Sequence, residues 1–152
     1  LFEALEVGKE KGRSDAELDI IKRNADNAVT VLQTARSLGV QVMSGTDTGN
    51  SPVMPYGVLH AHEAEVMVKF GGYTPLEAIT ASTKDNAYSV GMEGELGVIE
   101  AGKLADLLIL DADPLDDIRV LQGGKHLNSV IKDGRRVDLS AQPEDEIVLA
   151  LP

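Results

Sequence analysis

The sequence predicts an α/β protein in which helices and a buried strand come first and a small antiparallel β module follows. Three observations carry that expectation. Apolar residues recur at helical spacing from Leu18 to Ala35, stop at Gly39 and give way at once to the apolar run Val40–Met43. From Gly97 the texture changes to short β-rich runs separated by turn residues. The length, 152 residues of which 43% are hydrophobic, is enough for a real core but short of the ~250 residues of a complete eight-stranded α/β barrel. The chain opens on Leu1 in what reads as the end of an apolar element, so we expect a piece of something longer.

Each element has a local reason. Leu1–Arg13 ends in a polar, glycine-punctuated linker, and Ser14-Asp15-Ala16-Glu17 has the form of a capping box. Leu18, Ile21, Ala25, Ala28, Val29, Leu32 and Ala35 then form one apolar stripe that asks for a sheet to lie against. The apolar run that begins at Val40 reads as a buried parallel strand that finishes in Ser44, Gly45, Thr46 and Asp47, residues suited to a tight functional loop, with the irregular loop Asn50–Gly57 after it. Helical rhythm returns over Val58–Phe70 and stops at Gly71-Gly72. Thr74-Pro75-Leu76-Glu77 starts a further pair of short helices, Pro75–Ser82 and Lys84–Val90, ending at Gly91. Beyond Gly97, β runs are expected at Val98-Ile99, Leu107–Leu110, Ile118–Val120 and Ser129–Ile131, and Asp133-Gly134 is a strong two-residue hairpin signal. The domain boundaries follow: 1–92 for the α/β units, 93–140 for the β module and 141–152 for a tail.

Composition narrows the function. A net charge of −11 repels a phosphate backbone or an anionic membrane surface, so neither nucleic acid nor membrane is an expected partner. There are no cysteines, which leaves histidine and carboxylate as the strong metal ligands. No apolar run approaches a membrane span and no leader is visible, so a cytoplasmic location is the default expectation. Asp47 sits where a parallel strand ends, the place at which ligands and catalytic groups gather in α/β folds; the alternative is an aspartate that caps the next turn.

The succession Ser44-Gly45-Thr46-Asp47-Thr48-Gly49, Tyr73–Ile79, Ala81-Ser82-Thr83, Gly97–Leu107, Asp111–Leu115 and Val130–Gly134 resembles the C-terminal part of the metal-dependent amidohydrolase superfamily. Within it the chain is most similar to the branch of imidazolonepropionase-like and prolidase-like enzymes, over roughly Asn24 to Val137. The resemblance implies the C-terminal part of a (β/α)8 TIM-type barrel, with Val40–Asp47 as its last strand, plus strands of a small β-sandwich domain. It implies a hydrolase cleaving amide or related C–N bonds with a metal-activated water. Asp47 is then metal ligand and proton carrier, on a divalent metal, zinc, of one or two ions with most ligands outside this chain. Expected partners are a small-molecule amide-type substrate, the remaining barrel strands from the same or a second polypeptide, and further copies in a homo-oligomer. The alternative is a non-catalytic scaffold or interaction module built on an incomplete amidohydrolase fold.

Thr48, Gly49, His60 and His62, on the loop after the strand and at the start of the next helix, are the candidates for substrate binding. His60-Ala61-His62 has the letters of the family's first-strand metal motif, but residues two apart on a helix face nearly opposite sides and cannot reach one ion. Each is therefore either a pocket residue or a plain histidine at a helix N-terminus. Lys103, Asp106 and Asp111 are expected to serve turns and strand ends, and His126 to lie on the surface.

Overall fold

Residues 12–47 and 59–139 are described in the computed structural model of the chain. The tail and the loop residues Thr48 and Gly49 lie outside the described residues. Contacts divide the chain into two units, one ending at Val42 and one beginning at Met43.

In the first unit, helix α1 spans Asp15–Ser37. Its N-terminus is the capping box expected of Ser14 and Glu17: the Glu17 N–H donates to Ser14 Oγ at 3.4 Å, and the Ser14 N–H donates to Glu17 Oε2 at 2.9 Å. Two N–H groups that helix geometry leaves without partners are satisfied reciprocally. Ala25 is buried and Leu18, Ile21, Val29, Leu32 and Ala35 are half-buried, so the stripe is real, although Ala28 at its margin is exposed. Gly39, at φ +70°, ends the helix, and the Val40 N–H turns back to the Ala35 carbonyl at 2.9 Å.

Val40–Asp47, expected as a strand, forms no strand ladder. It is extended with period-two burial: Val42, Ser44 and Thr46 are half-buried while Gln41, Met43, Gly45 and Asp47 are exposed. The reason is the absence of neighbours, since a parallel strand pairs along its edges and no other parallel strand exists among the described residues.

In the second unit, α2 spans His60–Lys69 and buries Ala64 and Met67. A second capping box, Thr74 with Glu77, opens α3 (Pro75–Thr80), with Pro75 in the first turn, where its missing N–H costs nothing. The separate helices expected on either side of Thr83 are one continuous helical path. Ala81–Asp85 is a π-helical turn leading directly into α4 (Asn86–Ser89), and the residues at both joints keep right-handed helical dihedrals. Thr80, Ser82 and Thr83 each donate a side-chain hydroxyl to the carbonyl four residues back, at 2.7–2.9 Å. Such bonds compete with the backbone ladder and loosen it, which fits the wider turn seen here.

The β module is a three-stranded antiparallel sheet of β1 (Leu107–Leu110), β2 (Leu127–Lys132) and β3 (Arg135–Arg136) in that spatial order. Leu107 pairs with Ile131 and Lys132 with Arg135. Asp133 and Gly134 have φ of +51° and +73°, the two left-handed residues that a tight hairpin demands and that Asp-Gly supplies most cheaply. Asp106 clamps this turn: its Oδ1 accepts the Asp133 N–H at 2.7 Å and its Oδ2 pairs with Lys132 Nζ.

Two β expectations are corrected. Ile118–Val120 lies in a 3₁₀ turn, Ile118–Leu121, because Asp117 Oδ1 accepts the Arg119 N–H at 3.0 Å and caps it; Ile118 is buried and the turn packs against α2. Val98-Ile99 is irregular, with Ile99 87% exposed, since two residues without a facing strand gain no ladder.

Candidate active site

Asp47 is the chemistry-bearing residue that the backbone singles out. It is exposed at the end of the extended segment, and its φ is +48°, a left-handed value that only Asp133 shares among described non-glycine residues. Asp133 is explained by its hairpin. A non-glycine residue held in this region costs on the order of 1 kcal/mol, and such residues occur in turns and at functional sites. Aspartate tolerates the conformation better than most residues, so side-chain chemistry and backbone shape agree on this residue type.

Three residues upstream, Ser44 Oγ accepts a hydrogen bond from Asn86 Nδ2 at 3.1 Å, in a half-buried setting. This ties the segment carrying Asp47 to the first residue of α4, 42 positions away in sequence.

His60 and His62 lie in the first turn of α2, about 200° apart around its axis, so they do not converge on one ion. His62 Nδ1 is 3.8 Å from Glu65 Oε2, and that same oxygen accepts Gln122 Nε2 at 2.7 Å, which fixes Glu65 between α2 and the residue following the 3₁₀ turn. Glu63, on the same helix, has its carboxyl pushed above the ordinary range by burial, with the His60 imidazole pulling the other way. In the β module His126 Nδ1 is 2.8 Å from Asp111 Oδ1, and Lys103 Nζ donates to the Glu93 carbonyl, a brace on the turn rather than a catalytic position.

Among the described residues no group of three or more histidines or carboxylates is arranged to hold a metal ion. Asp47 offers the right donor for a hard or borderline divalent cation, yet one carboxylate is not a site. The described residues therefore do not by themselves fit a metal. Nor is any helix among them long and apolar enough to cross a membrane.

Residues 15–137, most of the length, match the sequence profile of the amidohydrolase family. The chain belongs to the amidohydrolase family. It is similar to ochratoxinase of Aspergillus niger, 38% identical over 112 residues, which are 73% of this chain and 22% of that protein. It is also similar to imidazolonepropionase of Rubrobacter xylanophilus, 46% identical over 63 residues, covering 41% of this chain and 15% of the relative. The crystal structure of the Aspergillus niger ochratoxinase superposes with a TM-score of 0.72 at 33% identity, covering 88% of this chain and 30% of that one. A Xaa-Pro dipeptidase crystallised with methionine in its active site gives a TM-score of 0.63 at 34% identity, over 72% of this chain and 25% of its own. The chain thus spans about a fifth of the curated ochratoxinase and about a quarter to a third of these two solved structures.

Sequence reasoning missed two long-range links, Ser44–Asn86 and Glu65–Gln122. Neither has a local signature. The closest thing to a signal is the hydroxyl cluster Thr80, Ser82 and Thr83, which marks the π turn that precedes Asn86.

Proposed function

We propose that this chain is the C-terminal portion of a hydrolase cleaving amide or related C–N bonds, and that Asp47 is its catalytic carboxylate. The observation that carries the reading is the combination at Asp47: a carboxylate at the end of an extended segment, held in a left-handed conformation, in a chain of the amidohydrolase family. The hydrolase names of the relatives support the reaction class, and the Xaa-Pro dipeptidase supports an amide-type small molecule as substrate.

In this reading Asp47 is also one ligand of a divalent metal, zinc, whose other ligands lie on barrel strands outside the chain. Such an ion, when bound, would supply a water acidified toward a pKa of ~7. The chain's own contribution is the proton path. An Asp47 oxygen accepts the proton as the water oxygen bonds to the substrate carbonyl carbon, then returns it to the departing nitrogen as the C–N bond breaks, giving an acid and an amine. The loop that begins with Thr48 and Gly49, and the first turn of α2 with His60 and His62, are proposed as the substrate-facing wall. The barrel strands are proposed to come from the same or a second polypeptide, in a homo-oligomer, with residues 1–92 belonging to the barrel and 93–140 to the β-sandwich.

Asp47→Asn in the protein as produced from its natural reading frame tests this. Asparagine also tolerates left-handed φ, so the fold should persist while the charge and the basic oxygen are lost. A general base contributes ~10²–10⁴-fold and weakened activation of the water adds to that, so kcat should fall at least ~10³-fold with KM changed far less. Asp106→Asn, in the hairpin clamp, should leave kcat within several-fold. The reading fails if Asp47→Asn keeps more than about a tenth of the parent kcat with metal bound.

A further inference from the structure

We infer that Asn86 is a positioning residue for Asp47, acting through Ser44, and that the π turn before it is what brings an amide to that place; the inference rests on Asp47 being the catalytic carboxylate. The argument begins with helical register. Ala78 and Ala81 are buried and mark the inward face of the path up to the π turn, with Ala87 buried beyond it. In an uninterrupted α-helix the next residue on that face would be Asp85, seven positions after Ala78 and four after Ala81. A π turn inserts one residue, so every position after it is set back by about 100°. With Ala81–Asp85 in that geometry, Asn86 takes the place that Asp85 would have had. The exchange matters chemically. A carboxylate cannot donate a hydrogen bond, whereas the Asn86 amide donates to Ser44 Oγ at 3.1 Å.

Ser44 lies on the covered side of the extended segment, with Val42 and Thr46, while Asp47 lies on the open side with Met43 and Gly45. A bond to Ser44 therefore pins the segment from behind and leaves the Asp47 carboxylate free to face a substrate. The Asn86–Ser44 bond joins this segment to a helix 42 positions further along the chain. Gly97 adds a stop from the other side: a Cβ there would lie 2.8 Å from Ala87 Cβ and 2.9 Å from Lys84 Cα, so the returning chain rests directly on the turn that aims Asn86.

The test is a double-mutant cycle on the protein from its natural reading frame, with Asn86→Ala, Ser44→Ala and the pair, read by steady-state kinetics and by peptide-level hydrogen exchange over residues 44–47. Each single variant should lower kcat about tenfold with KM moved less than about threefold, the pair should be no worse than either alone, and exchange over 44–47 should quicken. If Asn86→Ala leaves kcat within about twofold, or if the two effects multiply, while Asp47→Asn abolishes turnover, the inference is overturned and the role of Asp47 stands. If Asp47→Asn retains activity, that role falls instead. Hydrogen exchange then decides whether Asn86 holds the segment: unchanged exchange in Asn86→Ala overturns it, and faster exchange supports it. Ser44→Ala, which removes one oxygen and little volume, keeps the question decidable if Asn86→Ala does not fold.

Discussion

Replacing Gly97 by alanine should be among the most damaging single-methyl additions in the chain. Two costs are visible. The residue has φ of +90°, which an L-residue with a Cβ adopts at a cost of ~1–2 kcal/mol. The new methyl would also stand 2.8 Å from Ala87 Cβ, 2.9 Å from Lys84 Cα and 3.0 Å from the Thr83 carbonyl oxygen. None of these atoms is the end of a flexible side chain that could swing aside, so relief requires the helix or the Gly97 segment to move, and overpacking of this kind costs ~1–3 kcal/mol. The reduced freedom of the unfolded chain returns ~0.4–1 kcal/mol. The net loss is about 1–5 kcal/mol. Gly102→Ala is the matched control, because its φ is +91° and nothing lies within 4 Å of its added Cβ. It carries the conformational cost without the collision, about 1 kcal/mol net. Urea unfolding of the two variants, compared at equal m-value, isolates the steric part. If the two lie within about 0.5 kcal/mol of each other, the packing of Gly97 on the π turn is not what the structure shows.

Two further expectations follow from the same structure. Thr74→Ala removes the acceptor for the Glu77 N–H and should cost ~1 kcal/mol in thermal or chemical unfolding, with Thr74→Ser nearly neutral. Asp117 is held at about 2 by hydrogen bonds from the Arg119 guanidinium and N–H. Because this pKa lies below that of the unfolded chain, ~3.9, its contribution is present above about pH 4 and lost as pH falls toward about 2. Unfolding midpoints measured across that window should fall less steeply for Asp117→Asn than for the parent. The pair is exposed, so the difference should shrink in high salt.

What could be read from the sequence and what could not divide along a physical line. Both capping boxes were legible, because Ser14 with Glu17 and Thr74 with Glu77 are reciprocal bonds within four residues, and nothing distant can overrule them. The Asp133-Gly134 hairpin was legible because its two positive φ values are demanded by the turn itself. Ile118–Val120 was misread as strand because β-rich composition says nothing of Asp117 one residue earlier, whose side chain captures the first free N–H of a 3₁₀ turn. Val40–Asp47 was legible as extended, since its burial does alternate, but it joins no ladder among the described residues, because pairing depends on a neighbouring strand and not on the segment's own residues.

The site follows the same division, and this bears on how an aspartate is raised from a motif letter to a catalytic candidate. The residue type and the strand-end position of Asp47 are local, and so is the tolerance of aspartate for the left-handed region it occupies. The restraint on that segment is not local. It comes from Asn86, brought round by a one-residue insertion that neither proline nor glycine announces, since Ala81-Ser82-Thr83-Lys84-Asp85 contains neither. A helical count from Ala78 would assign Asp85 to that face and so put a carboxylate where the structure puts an amide donor. The error would be of chemistry as well as position, since a carboxylate has no hydrogen to donate to Ser44 Oγ, whereas the Asn86 amide donates to it at 3.1 Å.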